Sequence, residues 1–342
     1  MLHPKKQVVL FVMLFCLLVF LFFLNISLGS VSIPLTDILK GIFNQKMTKE
    51  SWEIIFFNFR LPKAFTALFT GMALSISGLM MQTLFRNPLA GPYVLGLSSG
   101  ASLGVAFLIL GSSFLPVFVA SFLVSSYGIV LASGVGSALV LLAILLVSKK
   151  LKDTTSILIV GLMFGSFSAA IVAILTYFST AEELQKFTFW SFGSLANLSW
   201  NDVVILAIIT SLGLAISFMV IKPLDALLLG EKYAKSMGIN FKKTRLLIIV
   251  ATSLLAGGVT AFVGPIAFIG LSVPHLAKLL FQTSNHFILF FSTLLIGASI
   301  LLFCDCVAQL PGSDITLPIN AVTSIIGAPV VIWLLVKKSS FS

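Results

Sequence analysis

The chain has 342 residues, of which 58% are hydrophobic and only 9% charged, with a mean hydropathy of +1.14. Soluble domains carry roughly 25% charged residues, so this chain cannot cover a water-facing surface, and its composition is the reverse of that of disordered chains. The net charge of +10 sits between apolar runs rather than on one basic surface, which argues against nucleic-acid binding.

Read from the N-terminus, apolar stretches separated by Pro, Gly or charge predict an all-α polytopic membrane protein of about ten transmembrane helices in a single transmembrane unit, residues 1–342. The spans fall near 8–28, 61–84, 93–111, 122–147, 155–178, 202–221, 244–263, 267–282, 287–304 and 316–336. The first apolar run is longer than the core of a signal peptide, so it is expected to stay as a span. Residues 179–200 contain charge and several aromatics, which predicts a short outer interfacial helix. Residues 264–275 (GPIAFIGLSVPH) are broken by Gly264-Pro265 and by Pro274, and such breaks are tolerated at membrane depth only inside protein or beside water. Cys16, Cys304 and Cys306 lie in or beside apolar runs and read as buried thiols rather than a disulfide framework.

Orientation follows from the Lys/Arg bias of the loops. An N-terminus inside the cell puts Lys5, Lys6, Arg86, Lys149, Lys150, Lys152, the 222–245 loop, Lys278, Lys337 and Lys338 in the cytoplasm. Asp37, Glu50, Glu53, Glu182, Glu183, Asp202 and Asp314 then fall outside, and both termini are cytoplasmic. Small residues recur at helical spacing (Gly71, Ser75, Gly78; Gly96, Gly100, Gly104; Gly161, Gly165), which predicts closely packed helices.

The chain shows no means of covalent chemistry. It has no HExxH, GxSxG or GxxxxGK[ST] motif and no intramembrane aspartate pair, so neither an enzyme nor an ATPase is expected. His275 has no partner at metal-ligand spacing and reads as a structural residue bonding backbone freed by Pro274. The most informative soluble segment is KPLDALLLGEKYAKSMGINFKKTR, residues 222–245. Pro223 suits a first helical position, Asp225 the positive end of that helix, and Gly230 a left-handed stop. Glu231 opens a second helix that Gly238 can cap, so two short helices meet at a tight corner and present Leu227, Leu228, Tyr233 and Met237. They either dock a cytoplasmic partner or lie passively at the headgroups.

The run RLPKAFTALFTGMALSISGLMMQTLFRNPLAGPYVLGLSSGAS (60–102) resembles the signature of the FecCD-type permeases, the membrane subunits of ABC importers for ferric siderophores, haem and cobalamin. The resemblance continues, in order and spacing, through WSFGSL (190–195), LLLGEKYAKSMGI (227–239), GPIAFIGLSVPH and LPINAVTSIIGAPVVIWLL (317–335). It implies that Leu229, Gly230, Glu231, Tyr233, Ala234 and Gly238 form the loop that receives the movement of an ATPase subunit. It implies that Arg60 and Lys63 accept acidic residues of a substrate-binding protein, although both could simply anchor the second span. Asn87, Pro88, Gly264, Pro265, Pro274 and His275 match structural motif positions, and Phe164, Ser166, Ser168 and Thr176 are candidate pathway residues, each of which could equally be packing.

Two departures stand out. Gln309 occupies a third docking position where the family has arginine, which favours pairing with a different permease over a second copy. The family's Glu-Leu-Pro-x-Gly becomes Thr316 to Asn320, and Asn320 is expected to keep the left-handed turn of that glycine. The resemblance therefore implies a bacterial plasma-membrane permease that moves an iron chelate by alternating access. Its partners would be a second permease, two ATPase subunits holding ATP and Mg, and an extracytoplasmic binding protein. This chain itself would bind no cofactor or metal. The alternative, a secondary transporter of an amphiphile without an ATPase, would more often carry coupling carboxylates at membrane depth.

Overall fold

The computed structural model describes residues 3–43, 45–112, 125–151, 154–309 and 315–339, and the regular structure among them is helical. Helix α1 (Pro4–Ser27) leads to two short helices, α2 (Leu35–Ile42) and α3 (Glu50–Ile55). A wide π-turn over Phe56–Arg60 runs α3 directly into α4 (Leu61–Leu84). A 3-10 turn (Pro92–Leu95) precedes α5 (Leu97–Ile109), α6 (Ser126–Lys150), α7 (Thr154–Phe178), α8 (Ala181–Ser191) and α9 (Trp200–Met219). The helix pair α10 (Ile221–Leu229) and α11 (Glu231–Ser236) follows. Beyond it, α12 (Phe241–Thr252) passes through a second π-turn (Ser253–Gly257) into α13 (Gly258–Val263). The chain closes with α14 (Ile269–Phe281), α15 (His286–Ala308) and α16 (Ile319–Ser339).

Each predicted span coincides with one of these helices, except that 244–263 holds α12 and α13 joined through the π-turn. Among the described residues, seven stretches are long and apolar enough to cross a membrane: Pro4–Ser27, Glu50–Leu84, Ser126–Val147, Thr155–Phe178, Trp200–Met219, Phe241–Val263 and His286–Ala308. Leu97–Ile109, Ile269–Phe281 and Ile319–Trp333 are shorter apolar helices. Residues 179–200 contain the helix α8, and the two short helices of 222–245 are present as α10 and α11. Helices α2 and α3 fall outside every predicted element. Lys152, Asp314 and the first residues of the fourth predicted span (122–124) lie outside the described residues.

Helix α4 is the hub. It packs on α15, α14, α9 and α12, and 78% of its apolar stretch is buried, against 17% for α7. The small-residue rows explain how neighbours come so near. Gly71 faces the Gly297 carbonyl of α15, and Gly78 faces that of Gly270 on α14. A Cβ on Gly100 would lie 2.6 Å from the Gly136 carbonyl of α6, and one on Gly96 2.9 Å from that of Gly161. Only hydrogen at these positions lets the backbones touch. Gly165 meets nothing closer than the Ser99 hydroxyl at 3.4 Å, so its size is not demanded. Of the thiols, Cys304 and Cys306 are buried and Cys16 is exposed, contrary to the expectation for that one, because α1 sits at the edge of the bundle.

Polar residues close the helix ends. Thr180 with Glu183 and Ser199 with Asp202 form reciprocal capping boxes, and Asn240 and Asn285 accept N–H groups of the first turns of α12 and α15. Within the helices, buried hydroxyls donate back to their own chain. Thr66 bonds the Pro62 carbonyl at 2.8 Å and Thr260 that of Ala256 at 2.7 Å, which is what a medium without water requires. In α2, Asp37 accepts from the Thr48 N–H (2.9 Å), the Thr48 hydroxyl (2.7 Å) and Lys40 (3.3 Å). The Thr48 bonds favour the charged form and hold its carboxyl below the ordinary value.

Candidate functional site

The helix pair α10–α11 stands at the end of the bundle where α4 stops and α15 begins. Gly230 makes the corner between them with φ +118° and ψ 153°, a glycine-only conformation but an extended one, not the left-handed stop expected. Pro223 sits in the third position of α10 rather than the first. Gly238 at φ +81° caps α11, with its N–H bonded to the Lys235 carbonyl and that of Ile239 to Ala234. Ala234 is fully buried, and Leu224, Ala226 and Leu227 anchor α10. Leu228, Leu229, Tyr233 and Met237 project outward, Tyr233 with 68% of its surface exposed. Leu227, expected on this face, is buried instead.

Residues remote in sequence clamp this pair to the spans. Arg86, itself in a left-handed conformation (φ 48°) just after α4, donates through Nη2 (2.7 Å) and Nε (3.2 Å) to the Leu227 carbonyl at the end of α10. Asp225 does not serve its own helix. Its Oδ1 accepts the backbone N–H of His286 (2.8 Å) and lies 2.7 Å from the ring Nδ1. The other ring nitrogen lies 2.8 Å from the Thr83 hydroxyl on α4. Beside them, Asn87 forms an Asx turn with the Leu89 N–H (2.9 Å), and His275 bonds the Pro88 carbonyl (2.8 Å). His275 was expected to satisfy backbone freed by Pro274; it reaches the Asn87-Pro88 turn instead, while Gln82 takes up the Leu271 carbonyl at 2.9 Å. Sequence reasoning missed Thr83, Arg86 and His286. A histidine beside the Asn285 cap, at the start of a span whose other ionisable group of that kind, Asp305, lies near its far end, was the available signal.

The break at Gly264–Phe268 is knotted by three strands of backbone. The Ser194 N–H bonds the Val263 carbonyl (2.9 Å), the Asn320 N–H bonds that of Phe192 (3.2 Å), and Asn320 Oδ1 accepts the Ala267 N–H (3.0 Å). Gly264 and Gly193 both have positive φ and face each other's segments: a Cβ on Gly264 would meet the Trp190 carbonyl at 2.8 Å. The Pro265 carbonyl lies 3.2 Å from where a Cβ on Gly193 would be. Asn320 lies in the first turn of α16, and positive φ among the non-glycine described residues is confined to Arg86, Phe268 and Gln282. The left-handed expectation for Asn320 is therefore wrong. Its side chain, not its backbone freedom, is what this position uses.

The three basic or polar positions expected to dock a binding protein are engaged inside the chain. Arg60 is only 5% exposed, because the π-turn carries it inward. Its guanidinium donates to the Ile26 (3.0 Å), Ser27 (2.9 Å) and Val31 carbonyls around the C-terminus of α1. Lys63 pairs with Asp305 at 3.2 Å, and the same carboxylate oxygen accepts from Asn25 (2.7 Å) and Gln309 (2.8 Å). This cluster joins α1, α4 and α15. Gln309 is buried, with its Nε2 on Asp305 and its Oε1 left without a hydrogen-bond partner.

The pathway candidates do not converge. Phe164 and Thr176 are half-buried, Ser166 is exposed with its hydroxyl returned to the Leu162 carbonyl (3.2 Å), and Ser168 is buried. At 100° per residue, Ser166 and Ser168 point to opposite sides of α7.

The chain as a whole has counterparts among known proteins. Residues 17–337 match the model of the FecCD transport family. The vitamin B12 import system permease protein BtuC of Klebsiella pneumoniae subsp. pneumoniae is 34% identical over 287 residues, covering 84% of this chain and 83% of that protein. BtuC of Salmonella typhimurium is 34% identical over 288 residues, 84% and 85% of the two chains. A solved inward-facing structure assigned to the metal-chelate type of ABC transporter superposes with a TM-score of 0.84 at 29% identity, covering 98% of this chain and all of the other. The chain is a membrane permease component of an ABC transporter, not an enzyme, and it belongs to the FecCD transport family.

Proposed function

We propose that this permease imports a metal chelate, a ferric siderophore or else haem or the cobalt chelate cobalamin, by alternating access driven by two ATPase subunits on the cytoplasmic side. The observation that carries the coupling half of this reading is the helix pair. Leu228, Leu229, Tyr233 and Met237 form an apolar face outside the spans, held rigidly from behind by Arg86 and Asp225. A passive interfacial loop needs no such clamps. Glu231 opens α11 at the Gly230 corner, so the turn that an ATPase surface would grip is formed by Leu229, Gly230 and Glu231. The Lys/Arg bias puts this end and both termini in the cytoplasm. ATP and Mg belong to the partner subunits.

The pathway forms between this chain and a second permease packed on the exposed side of α7, which takes Ser166 and the edge of Phe164 but not Ser168. A pathway lined by apolar and hydroxyl groups lets a large chelate pass without a sticking site. Glutamine at 309, in place of the arginine the family has there, favours a different permease over a second copy as the partner. Docking of an extracytoplasmic binding protein falls to other residues than Arg60 and Lys63, whose charges are already committed.

Purification of the tagged chain from its membranes in mild detergent, with mass spectrometry of what accompanies it, tests the assembly. Recovery of an ATPase supports the reading. A chain that emerges folded and alone in several detergents refutes it. In reconstituted vesicles, uptake of cyanocobalamin, haemin and a ferric hydroxamate is then compared with and without ATP. Glu231→Lys should abolish uptake while leaving permease assembly intact, and normal uptake by that variant removes the coupling role of the corner.

A further inference from the structure

We propose that His286 is the joint through which the α10–α11 pair moves the spans, a positioning residue of the transport cycle; this rests on reading that pair as the ATPase dock. The imidazole is 1% exposed and bridges three elements at once. Asp225 of α10 lies 2.7 Å from Nδ1 and also accepts the His286 N–H at 2.8 Å, while Nε2 lies 2.8 Å from the Thr83 hydroxyl of α4. With Asp225 accepting, Nδ1 carries a proton. The Thr83 hydroxyl has two acceptors in reach, Nε2 and the Leu79 carbonyl at 3.0 Å.

Two considerations separate this from ordinary packing. First, α15 is already capped: Asn285 accepts the N–H groups of Phe287 (2.8 Å) and Ile288 (3.4 Å), so a histidine is not needed to finish the helix. A buried imidazole in a bundle otherwise so poor in ionisable groups is expensive, and such residues mark function. Second, the bonds are short and the ring is rigid. Displacing α10 by about one ångström would stretch them beyond hydrogen-bond range, so the first turn of α15 and the end of α4 must follow or the bonds must break. These two helices meet through Gly71, Ser75 and Gly297 with no slack, so movement entering at His286 travels along both. Arg86, holding the Leu227 carbonyl, fixes the other end of α10 and prevents it from pivoting freely.

The test uses the full assembly with its ATPase subunits in lipid vesicles and follows amide hydrogen exchange with and without ATP–vanadate, together with ATP hydrolysis. Asparagine at 286 places an amide donor near the Nδ1 position and glutamine one near Nε2, so His286→Asn, His286→Gln and Thr83→Val each remove one half of the bridge. In the wild type, nucleotide trapping should change exchange at 264–268, in the knot of backbone far along the chain from the helix pair. In each variant that response should fall about five-fold or more, with ATP hydrolysis within about two-fold of wild type. A purely structural role would raise exchange at 283–290 equally with and without nucleotide and leave the response at 264–268 intact. That result in all three variants overturns the inference. A wild-type assembly whose exchange ignores nucleotide everywhere overturns instead the reading of the pair as an ATPase dock.

Discussion

Gly78 offers a demanding test of the packing. Replacing it with alanine adds a single methyl carbon at the α4–α14 crossing, directly on the Gly270 carbonyl. That carbon would also lie 2.5 Å from the Gly270 carbonyl carbon and 2.7 Å from its Cα. All three are backbone atoms, so no side chain can swing aside. Restoring ordinary contact needs α14 to withdraw by nearly two ångströms, and overpacking of this kind costs about 1–3 kcal/mol or more. Gly134 on α6 is the matched control, since a Cβ there meets nothing within 4 Å. Gly134→Ala should be neutral, or stabilising by up to about 1 kcal/mol through helix propensity alone. Thermal unfolding in detergent, followed by the loss of the monodisperse species on gel filtration, reads both. If Gly78→Ala unfolds at the same temperature as Gly134→Ala, the backbone contact between α4 and α14 is not as close as described.

Three further outcomes are expected. Lys63→Met should destabilise the chain by about 3 kcal/mol, the lower end for a broken buried pair because Asn25 and Gln309 still donate to Asp305; adding Asp305→Asn should recover part of the loss in the same unfolding assay. Asn320→Ala should cost about 1–3 kcal/mol by leaving the Ala267 N–H without its acceptor, and amide exchange at Ala267 should rise, whereas Asn320→Asp keeps the acceptor and should protect it. The lowered folded pKa of Asp37 makes its contribution to stability complete above the unfolded value, taken as the ordinary 3.8, and lost as pH falls through the folded one. Thr48→Val should therefore flatten the fall in unfolding temperature below about pH 4; an unchanged slope would deny the Thr48 bonds their role.

The bundle itself was legible in the sequence because its causes are periodic and local. Apolar runs of spanning length, Gly and small residues at helical spacing, and capping pairs such as Thr180 with Glu183 act within one helix or repeat along it. The helix pair at 221–236 was legible for the same reason. What failed were assignments whose partners lie far along the chain. Arg60 looked presentable until the end of α1 and the turn after it supplied three carbonyls to its guanidinium, and Lys63 looked presentable until the fold brought Asp305 to it. Asn320 was read for its backbone tolerance, but its side chain bonds Ala267. Asp225 was assigned to its own helix dipole, and nothing local could have joined it to His286, 61 residues away. Polar side chains in an apolar medium take whatever partner the fold delivers, and the sequence neighbourhood does not name it.

The two π-turns have an evolutionary consequence. A wide turn holds one residue more than the α-helix it interrupts, so deleting any one residue of Ser253–Gly257 would leave an unbroken helix rather than a gap. The residues beyond would keep their facing, because the wide turn has already absorbed the extra one, and the Gly264 corner would still meet Ser194 and Asn320. Deleting a residue from the regular part of α12 would instead turn everything beyond it by about 100° and undo that knot. Among descendants of this chain, single-residue deletions should therefore be tolerated in these two short stretches before anywhere else in their helices.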